Sequence, residues 1–201
     1  MSEIRFDTVV KQFPDMARPA VNGISLTVGS SEFVVFLGPS GCGKTTLMKM
    51  VNRLYEPTSG EVYIGEAPIH AVDATTLRRQ IGYVIQQIGL FPQMTVAETV
   101  AVVPRLLGWD DERIASRSDE LLEMVALPPD EYRDRYPAQL SGGQRQRVGV
   151  ARALAGDPAV ILMDEPFGAI DAITRTELQD SFLELQRRLD KTILFVTHDV
   201  D

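Results

Sequence analysis

Several residue types are scarce in this sequence of 201 residues, and each shortage excludes a class of protein. The single cysteine, Cys42, can form neither an internal disulfide nor a thiolate cage for zinc, which favours a reducing cytoplasm. No uninterrupted apolar run exceeds five residues, whereas a helix needs about 20 to cross a bilayer. The first residues also lack the basic and then apolar segments of a signal peptide, so we expect neither a membrane span nor an export signal.

Positive charge is also in short supply. Twenty Lys and Arg residues stand against twenty-eight Asp and Glu, for a net charge of −8. A chain this acidic lacks the basic surface of a nucleic-acid-binding protein, so we expect no nucleic-acid partner. Any phosphate binding must then be local, using backbone N–H groups and a few placed cations. The positions of the four lysines are therefore informative: Lys11, Lys44, Lys49 and Lys191.

The remaining composition is that of an ordinary globular protein, with 44% hydrophobic and 24% charged residues. Apolar runs between turn residues such as Asn22-Gly23 predict strands at residues 4–10, 24–28, 32–37, 61–64, 82–85, 160–163 and 192–196. Helical periodicity and start signals predict helices at 44–54, 110–127, 141–155 and 178–189. Thr95 with Glu98 three residues later predicts a further helix start. Alternating strands and helices at both ends, with a helical stretch between them, indicate an α/β fold with a parallel sheet covered by helices.

A glycine-rich turn lies between the third predicted strand and the first predicted helix. It matches the pattern G-x-x-x-x-G-K-[ST] without a gap, in the residues Gly38, Pro39, Ser40, Gly41, Cys42, Gly43, Lys44 and Thr45. Glycines let the backbone wrap a phosphate and aim consecutive N–H groups at it, and the following helix adds its positive N-terminal end. Lys44 can reach the β- and γ-phosphates, and the Thr45 hydroxyl can bind Mg²⁺. We assign these residues, with the adjacent Thr46, to an ATP site.

An acidic pair follows the predicted strand at 160–163. Asp164 emerges at the carboxyl end of that strand, where α/β proteins bind ligands, and is expected to hold Mg²⁺ directly or through water. Glu165 is a candidate general base for the attacking water. An Asp-Glu-Pro sequence alone is more often a plain strand-ending turn. The phosphate loop earlier in the chain favours the functional interpretation.

A second glycine-containing segment, residues 140–148, starts another predicted helix. Ser141 and Gln144 form a capping-box pattern, so the helix should begin there. Its first turn contains Gly142 and Gly143, each costing roughly 1 kcal/mol relative to alanine. Glycines at these two positions are expected if a phosphate must approach the backbone at a positive helix end. Because the phosphate loop already serves one ATP, we expect this second anion site to face a nucleotide held by another subunit.

The sequence resembles the nucleotide-binding subunit of ABC transporters. The phosphate loop, residues 140–144 and the Asp164-Glu165 pair occur in the order found in that family. The resemblance covers essentially the whole chain, and other P-loop ATPases lack the 140–144 signature. It implies a P-loop NTPase core with an antiparallel β subdomain over residues 1–87 and 157–201, and an inserted helical subdomain over 88–156. Relatives continue past the position of residue 201 with further helices, and some carry regulatory CBS domains, so the resemblance also implies a truncated chain.

Further residues take their roles from the resemblance alone. Gln86 matches the glutamine that contacts Mg²⁺ and senses the membrane partner, with the adjacent Gln87 as the alternative. His198 matches the switch histidine that contacts the γ-phosphate, and Asp171 falls in the segment that matches the D-loop. Phe13 matches the aromatic residue that stacks on adenine, with a core-filling role as the alternative. The family also implies two copies of the chain that sandwich two ATP molecules head to tail.

A narrower similarity lies in residues 48–54 and 79–92, which resemble importers of the quaternary-amine osmoprotectants glycine betaine, carnitine and choline. It implies an ATPase on the inner face of the cell membrane that drives transmembrane permease subunits, supplied by an extracytoplasmic solute-binding protein. The alternatives are the ATPase of an exporter, a soluble ABC-type ATPase acting on DNA or ribosomes, and a non-hydrolysing module. The sequence lacks the coiled-coil insertion, zinc cysteines or tandem ATPase domains of the soluble type, and Glu165 and His198 argue against a non-hydrolysing module.

Overall fold

The computed structural model describes residues 3–86, 89–168 and 190–198, together with Arg175, Gln179 and Phe182. Its strands are β1 Ile4–Lys11, β2 Val21–Val28, β3 Phe33–Leu37, β4 Ser59–Ile64, β5 Ala67–Pro68, β6 Ile81–Val84, β7 Val160–Asp164 and β8 Thr192–Thr197. Its α-helices are α1 Lys44–Val51, α2 Ala74–Arg79, α3 Val96–Val100, α4 Val102–Leu106, α5 Asp111–Met124, α6 Pro129–Tyr132 and α7 Gly142–Leu154. Short 3₁₀ turns cover Ile69–Ala71 and Pro137–Gln139.

The core sheet is parallel, with the strand order β3-β8-β7-β6. Every residue of β7 is buried, as expected for a strand with both faces covered, which is why it is an uninterrupted apolar run in the sequence. Leu37 of β3 lies level with Thr197 of β8, and Val196 lies level with Asp164 at the end of β7. The loop that follows β3 and the acidic pair that ends β7 therefore lie at the same edge of the sheet.

A second sheet is antiparallel, with the order β2-β1-β4-β5. Its inner face, including Ile4, Phe6 and Val62, packs with Met48 and Val51 of α1 in one buried hydrophobic cluster. The phosphate-loop helix thus lies on the core that joins the two sheets. The α/β fold with a mostly parallel sheet and an antiparallel β subdomain is confirmed.

The helices α3 to α7 lie in the chain between β6 and β7. Helices α3, α5 and α7 contribute buried side chains to a second hydrophobic cluster, among them Leu121 and Leu122 from α5 and Val148 and Leu154 from α7. A capping box at Thr95 starts α3 in the structure. None of the helices in the described part of the chain is long and apolar enough to span a bilayer. The subdomain boundaries at residues 88 and 156 stay a prediction.

Three local predictions were wrong, one of them the helix at 110–127, which ends at Met124. Asn22-Gly23 is not a turn, because β2 begins at Val21 and continues through Gly23, whose φ of +67° fits the irregular register between β1 and β2. Helix α1 ends at Val51 rather than at residue 54, because Arg53 adopts a left-handed φ of +54° that a helix cannot continue. The predicted helix at 178–189 falls mostly outside the described residues.

Candidate active site

The phosphate loop, residues 38–43, connects β3 to α1 and curls around the Lys44 side chain. Lys44 Nζ donates hydrogen bonds to the carbonyl oxygens of Gly38, at 2.6 Å, and Pro39, at 2.9 Å. Gly43 caps α1 with a left-handed φ of +99°, and a Cβ there would lie 2.2 Å from the Ala20 carbonyl oxygen. Only glycine satisfies both conditions, so this fold explains on steric grounds why the second glycine of the phosphate-loop pattern, Gly43, is required.

The first turn of α1 joins the end of β7 through a hydrogen bond. Thr45 Oγ1 donates to Asp164 Oδ1 at 2.8 Å, between residues 119 positions apart in the chain. Asp164 is only 4% exposed, so its two carboxylate oxygens need partners from the protein or a ligand. The structure thus brings together the two residues that the sequence assigns to Mg²⁺.

Two partners of Asp164 were missed by sequence reasoning. Lys49 Nζ lies 3.8 Å from Asp164 Oδ2. The second partner is Tyr83. Burial, together with the nearby Asp164 carboxylate, raises the pKa of the Tyr83 hydroxyl well above its usual range. The position of Lys49 was available as a signal, because it follows Thr45 by four residues and so shares its helix face. The position of Tyr83 beside Asp164 depends on the pairing of β6 with β7, which the sequence does not specify.

The three predicted catalytic residues meet at Glu165. Gln86 Nε2 donates to Glu165 Oε2 at 2.7 Å, and His198 Nδ1 lies 3.0 Å from Glu165 Oε1. With Glu165 ionised, His198 must carry its proton on Nδ1 to make this hydrogen bond. The backbone N–H of Glu165 donates to Val196 O at 2.9 Å, and Glu165 adopts an unusual φ of +45°. The side chain is therefore held by residues from the ends of β6 and β8.

The signature residues form the start of α7. Ser141 caps the helix and Gln144 returns the bond, with Gln144 N to Ser141 Oγ at 3.2 Å and Ser141 N to Gln144 Oε1 at 2.9 Å. Gln144 Nε2 also donates to Tyr132 Oη at 3.0 Å, which ties the capping box to α6. Gly143 is buried, whereas a Cβ built at Gly142 would meet no heavy atom within 4 Å. Hydrogen bonds therefore hold the first turn of α7 in place, and the space beside Gly142 is open.

The loop that carries Phe13 adjoins the phosphate loop, because Ala20 N donates to Lys11 O and Ala20 O abuts Gly43. The half-buried Phe13 ring packs edge-on against Tyr55, with ring centroids 5.3 Å apart. Lys11 Nζ lies 5.2 Å from the Phe13 ring centroid. Its adenine-stacking role stays a prediction. The predicted site residue Asp171 and the alternative glutamine Gln87 lie outside the described residues.

The donor set suits Mg²⁺ bound together with a nucleotide. Thr45 and Asp164 offer hard oxygen atoms, the ligand type that Mg²⁺ prefers. In the described ranges, no group of three or more His, Cys, Asp or Glu side chains is placed to hold a metal. Mg²⁺ usually takes one or two protein carboxylates and completes its coordination with phosphates and water. The chemistry of the site therefore fits this ion.

Comparisons with known proteins identify the relatives of this chain. A protein-family model described as ABC transporter matches residues 21–168. The glycine betaine/carnitine/choline transport ATP-binding protein OpuCA of Bacillus subtilis (strain 168) is 59% identical over 184 residues, covering 92% of this chain and 48% of the relative. The osmoprotectant import ATP-binding protein OsmV of Salmonella typhimurium is 54% identical over 201 residues, covering 98% of this chain and 53% of the relative.

Among solved structures, the dimeric post-hydrolysis state of the ATP-binding cassette MJ0796 bound to ADP and Pi matches with a TM-score of 0.84 at 35% identity. That match covers 98% of this chain and 88% of the solved chain. The fold and the site thus define a P-loop ATPase domain. The chain belongs to the ABC transporter family. It spans about half the length of the curated relatives it matches.

Proposed function

We propose that this chain is the ATP-hydrolysing subunit of a membrane importer for quaternary-amine osmoprotectants such as glycine betaine, carnitine or choline. The convergence of Lys44, Thr45, Asp164, Glu165 and His198 at one edge of the core sheet carries the proposal of ATP hydrolysis. The solute class is supported by OpuCA and OsmV, whose names describe transport of these compounds and of osmoprotectants.

ATP binding is assigned to the phosphate loop and its neighbours. The backbone N–H groups of residues 40–44 and the positive end of α1 bind the phosphates. Lys44 exchanges its two carbonyl contacts for the β- and γ-phosphates, which satisfy its charge better than neutral acceptors do. Phe13 stacks on the adenine ring. Thr45, Asp164 and Gln86 would hold Mg²⁺, which would neutralise phosphate charge.

Hydrolysis is assigned to Glu165. Its carboxylate accepts a proton from the water that attacks the γ-phosphate, and His198 and Gln86 hold the two carboxylate oxygens in position. His198 bonds Glu165 through Nδ1, and its imidazole is assigned to contact the γ-phosphate. The buried neighbour Asp164 stays beside Thr45 and takes no part in this proton transfer.

Two copies of the chain are proposed to close around two ATP molecules, with Ser141, Gly142, Gly143 and Gln144 of each copy facing the nucleotide of the other. The open space above Gly142 supports an approach by phosphate, and the dimeric form of the cassette MJ0796 supports the assembly. Asp171, in the segment that matches the D-loop, is assigned to nucleotide binding. The dimer drives transmembrane permease subunits from the cytoplasmic face of the membrane, and an extracytoplasmic solute-binding protein delivers the solute.

Two measurements, of ATP hydrolysis and of solute uptake, test the proposed function. The natural full-length protein, purified with Mg²⁺, should hydrolyse ATP, and Lys44→Ala should lose nucleotide binding because it removes the cation of the phosphate loop. Co-expression with its permease and solute-binding protein should restore uptake of radiolabelled glycine betaine, carnitine or choline in a host that lacks such transport. Hydrolysis without uptake of these three solutes would refute the solute class alone. An absence of Mg²⁺-dependent ATP binding would refute the ATPase assignment.

A further inference from the structure

Lys49 lies beside the carboxylate that the proposed function assigns to Mg²⁺. Its Nζ is 3.8 Å from Asp164 Oδ2, while Thr45 holds the other oxygen, Oδ1, at 2.8 Å. The Asp164 side chain is 6% exposed and the Lys49 side chain 27% exposed. A buried carboxylate is stable in its charged form only when a partner compensates that charge. Among the described residues, Lys49 is the cation that forms an ion pair with Asp164.

The geometry of α1 makes this pairing specific. Thr45 and Lys49 are four residues apart on one helix, so their side chains lie on the same face and both reach Asp164. The ammonium group also lies 6.0 Å from the Tyr55 ring centroid, which gives the lysine a second favourable contact on the same side. The other described lysines pair elsewhere: Lys11 with Glu56 O, Lys44 with the phosphate loop and Lys191 with Asp157.

We propose that Lys49 is a positioning residue for the metal site. Its ammonium compensates and orients the Asp164 carboxylate before Mg²⁺ and ATP bind, and it yields that carboxylate when they do. This inference rests on the proposed function, because it assumes that Asp164 binds Mg²⁺. Two consequences follow: Lys49 should stabilise the protein through Asp164 when no nucleotide is bound, and it should oppose Mg²⁺ at the same carboxylate.

Thermal unfolding of the natural full-length protein without nucleotide tests the first consequence. Lys49→Met should lower the melting temperature by several degrees, because Asp164 is left buried and uncompensated. Adding Asp164→Asn to Lys49→Met should recover most of that loss, since the uncompensated charge is removed. Additive losses in the double variant would overturn the ion-pair role. Lys49→Gln, which keeps a polar side chain, provides the same comparison if Lys49→Met does not fold.

Binding of a fluorescent ATP analogue at increasing Mg²⁺ tests the second consequence without using hydrolysis. In Lys49→Met the Mg²⁺ concentration at half-saturation should fall roughly tenfold, because no neighbouring cation opposes the metal at Asp164. Lys49→Arg should stay close to wild type. Lys191→Met is the matched control: it breaks the 2.8 Å ion pair with Asp157 and should leave the Mg²⁺ dependence unchanged.

The results of these experiments distinguish the role of Lys49 from the proposed function of the chain. Wild-type Mg²⁺-dependent nucleotide binding with an unchanged half-saturation point in Lys49→Met would overturn the role of Lys49 and leave the proposed function standing. A lower melting temperature with no change in Mg²⁺ dependence would make Lys49 a structural residue only, which also overturns the inference. A wild-type protein whose nucleotide binding ignores Mg²⁺ would overturn the proposed function and this inference together.

Discussion

Thr45 Oγ1 donates a hydrogen bond of 2.8 Å to Asp164 Oδ1 and so joins the phosphate-loop helix to the end of the central strand β7. The two residues are 119 positions apart in the chain. The contact arises because β3 and β7 are parallel strands of one sheet whose carboxyl ends share an edge. The phosphate-loop helix and the acidic end of β7, which form the two halves of the proposed ATP site, are therefore in direct contact.

Replacing Glu165 with Gln should separate ATP binding from ATP hydrolysis. Glutamine keeps the shape of the side chain but cannot accept a proton, so single-turnover hydrolysis should fall by about 10²- to 10⁴-fold. Loss of a negative charge near the γ-phosphate should preserve or improve ATP affinity. With ATP and Mg²⁺ the variant should elute as a closed dimer in size-exclusion chromatography. The exposed Glu66, between β4 and β5, offers Glu66→Gln as a control with normal turnover.

Wild-type turnover in Glu165→Gln would remove Glu165 from the mechanism. A variant that neither hydrolyses ATP nor dimerises with it would keep the general base and contradict the ATP sandwich.

Introducing Arg at Ser141 should block hydrolysis while one copy of the chain still binds ATP. The side chain would fill the open space at the start of α7, which is proposed to face the nucleotide of the second copy. Nucleotide titration and steady-state hydrolysis measure the two effects separately. A mixed dimer of Ser141→Arg with Lys44→Ala should retain at most one complete site. Loss of ATP binding by isolated Ser141→Arg would show that the signature serves its own chain's nucleotide.

Alanine at Gly43 should destabilise the protein by at least about 2 kcal/mol. A left-handed backbone costs an L-residue roughly 1–2 kcal/mol, and the added Cβ would lie 2.2 Å from Ala20 O. Gly142→Ala is the matched control, because its Cβ meets open space and alanine favours a helix by about 1 kcal/mol. Urea denaturation should show a large loss for the first variant and no loss for the second. Equal stabilities would mean that the loop relaxes around the new side chain.

Asp157 should contribute stability that disappears in acid. The hydrogen bond from Lys191, aided by the charges of Lys191 and Arg117, keeps the pKa of Asp157 below its usual value. A carboxylate with a lowered folded-state pKa stabilises the protein above its unfolded pKa of about 4, and that stability is lost as pH falls through the folded value. The group is largely exposed, so the effect should be small.

The comparison is urea unfolding of wild type and Asp157→Asn at pH 7 and pH 3. The two proteins should differ at pH 7, and the difference should shrink at pH 3, because protonation progressively removes the same charge that the substitution removes. Asparagine also accepts the left-handed φ of +52° at this position, so backbone strain does not confuse the result. A difference that is the same at both pH values would exclude the ionised form as its source.

Many local elements of this protein follow from patterns in its sequence. The apolar run before Asp164 predicts a strand buried on both faces, and β7 is one. Ser141 with Gln144, and Thr95 with Glu98, predict helix starts, and both capping boxes are present. These signals depend only on neighbouring residues, so they can be derived from sequence spacing alone.

Which of these elements contact one another depends on how the whole chain packs. The bonds from Gln86 and His198 to Glu165 depend on the strand order β8-β7-β6, and no local pattern encodes that order. The ion pair of Lys49 with Asp164 likewise needs α1 to lie against the end of β7. Strand order and helix packing follow from burial of apolar surface over the whole chain, so they emerge only when all elements pack together.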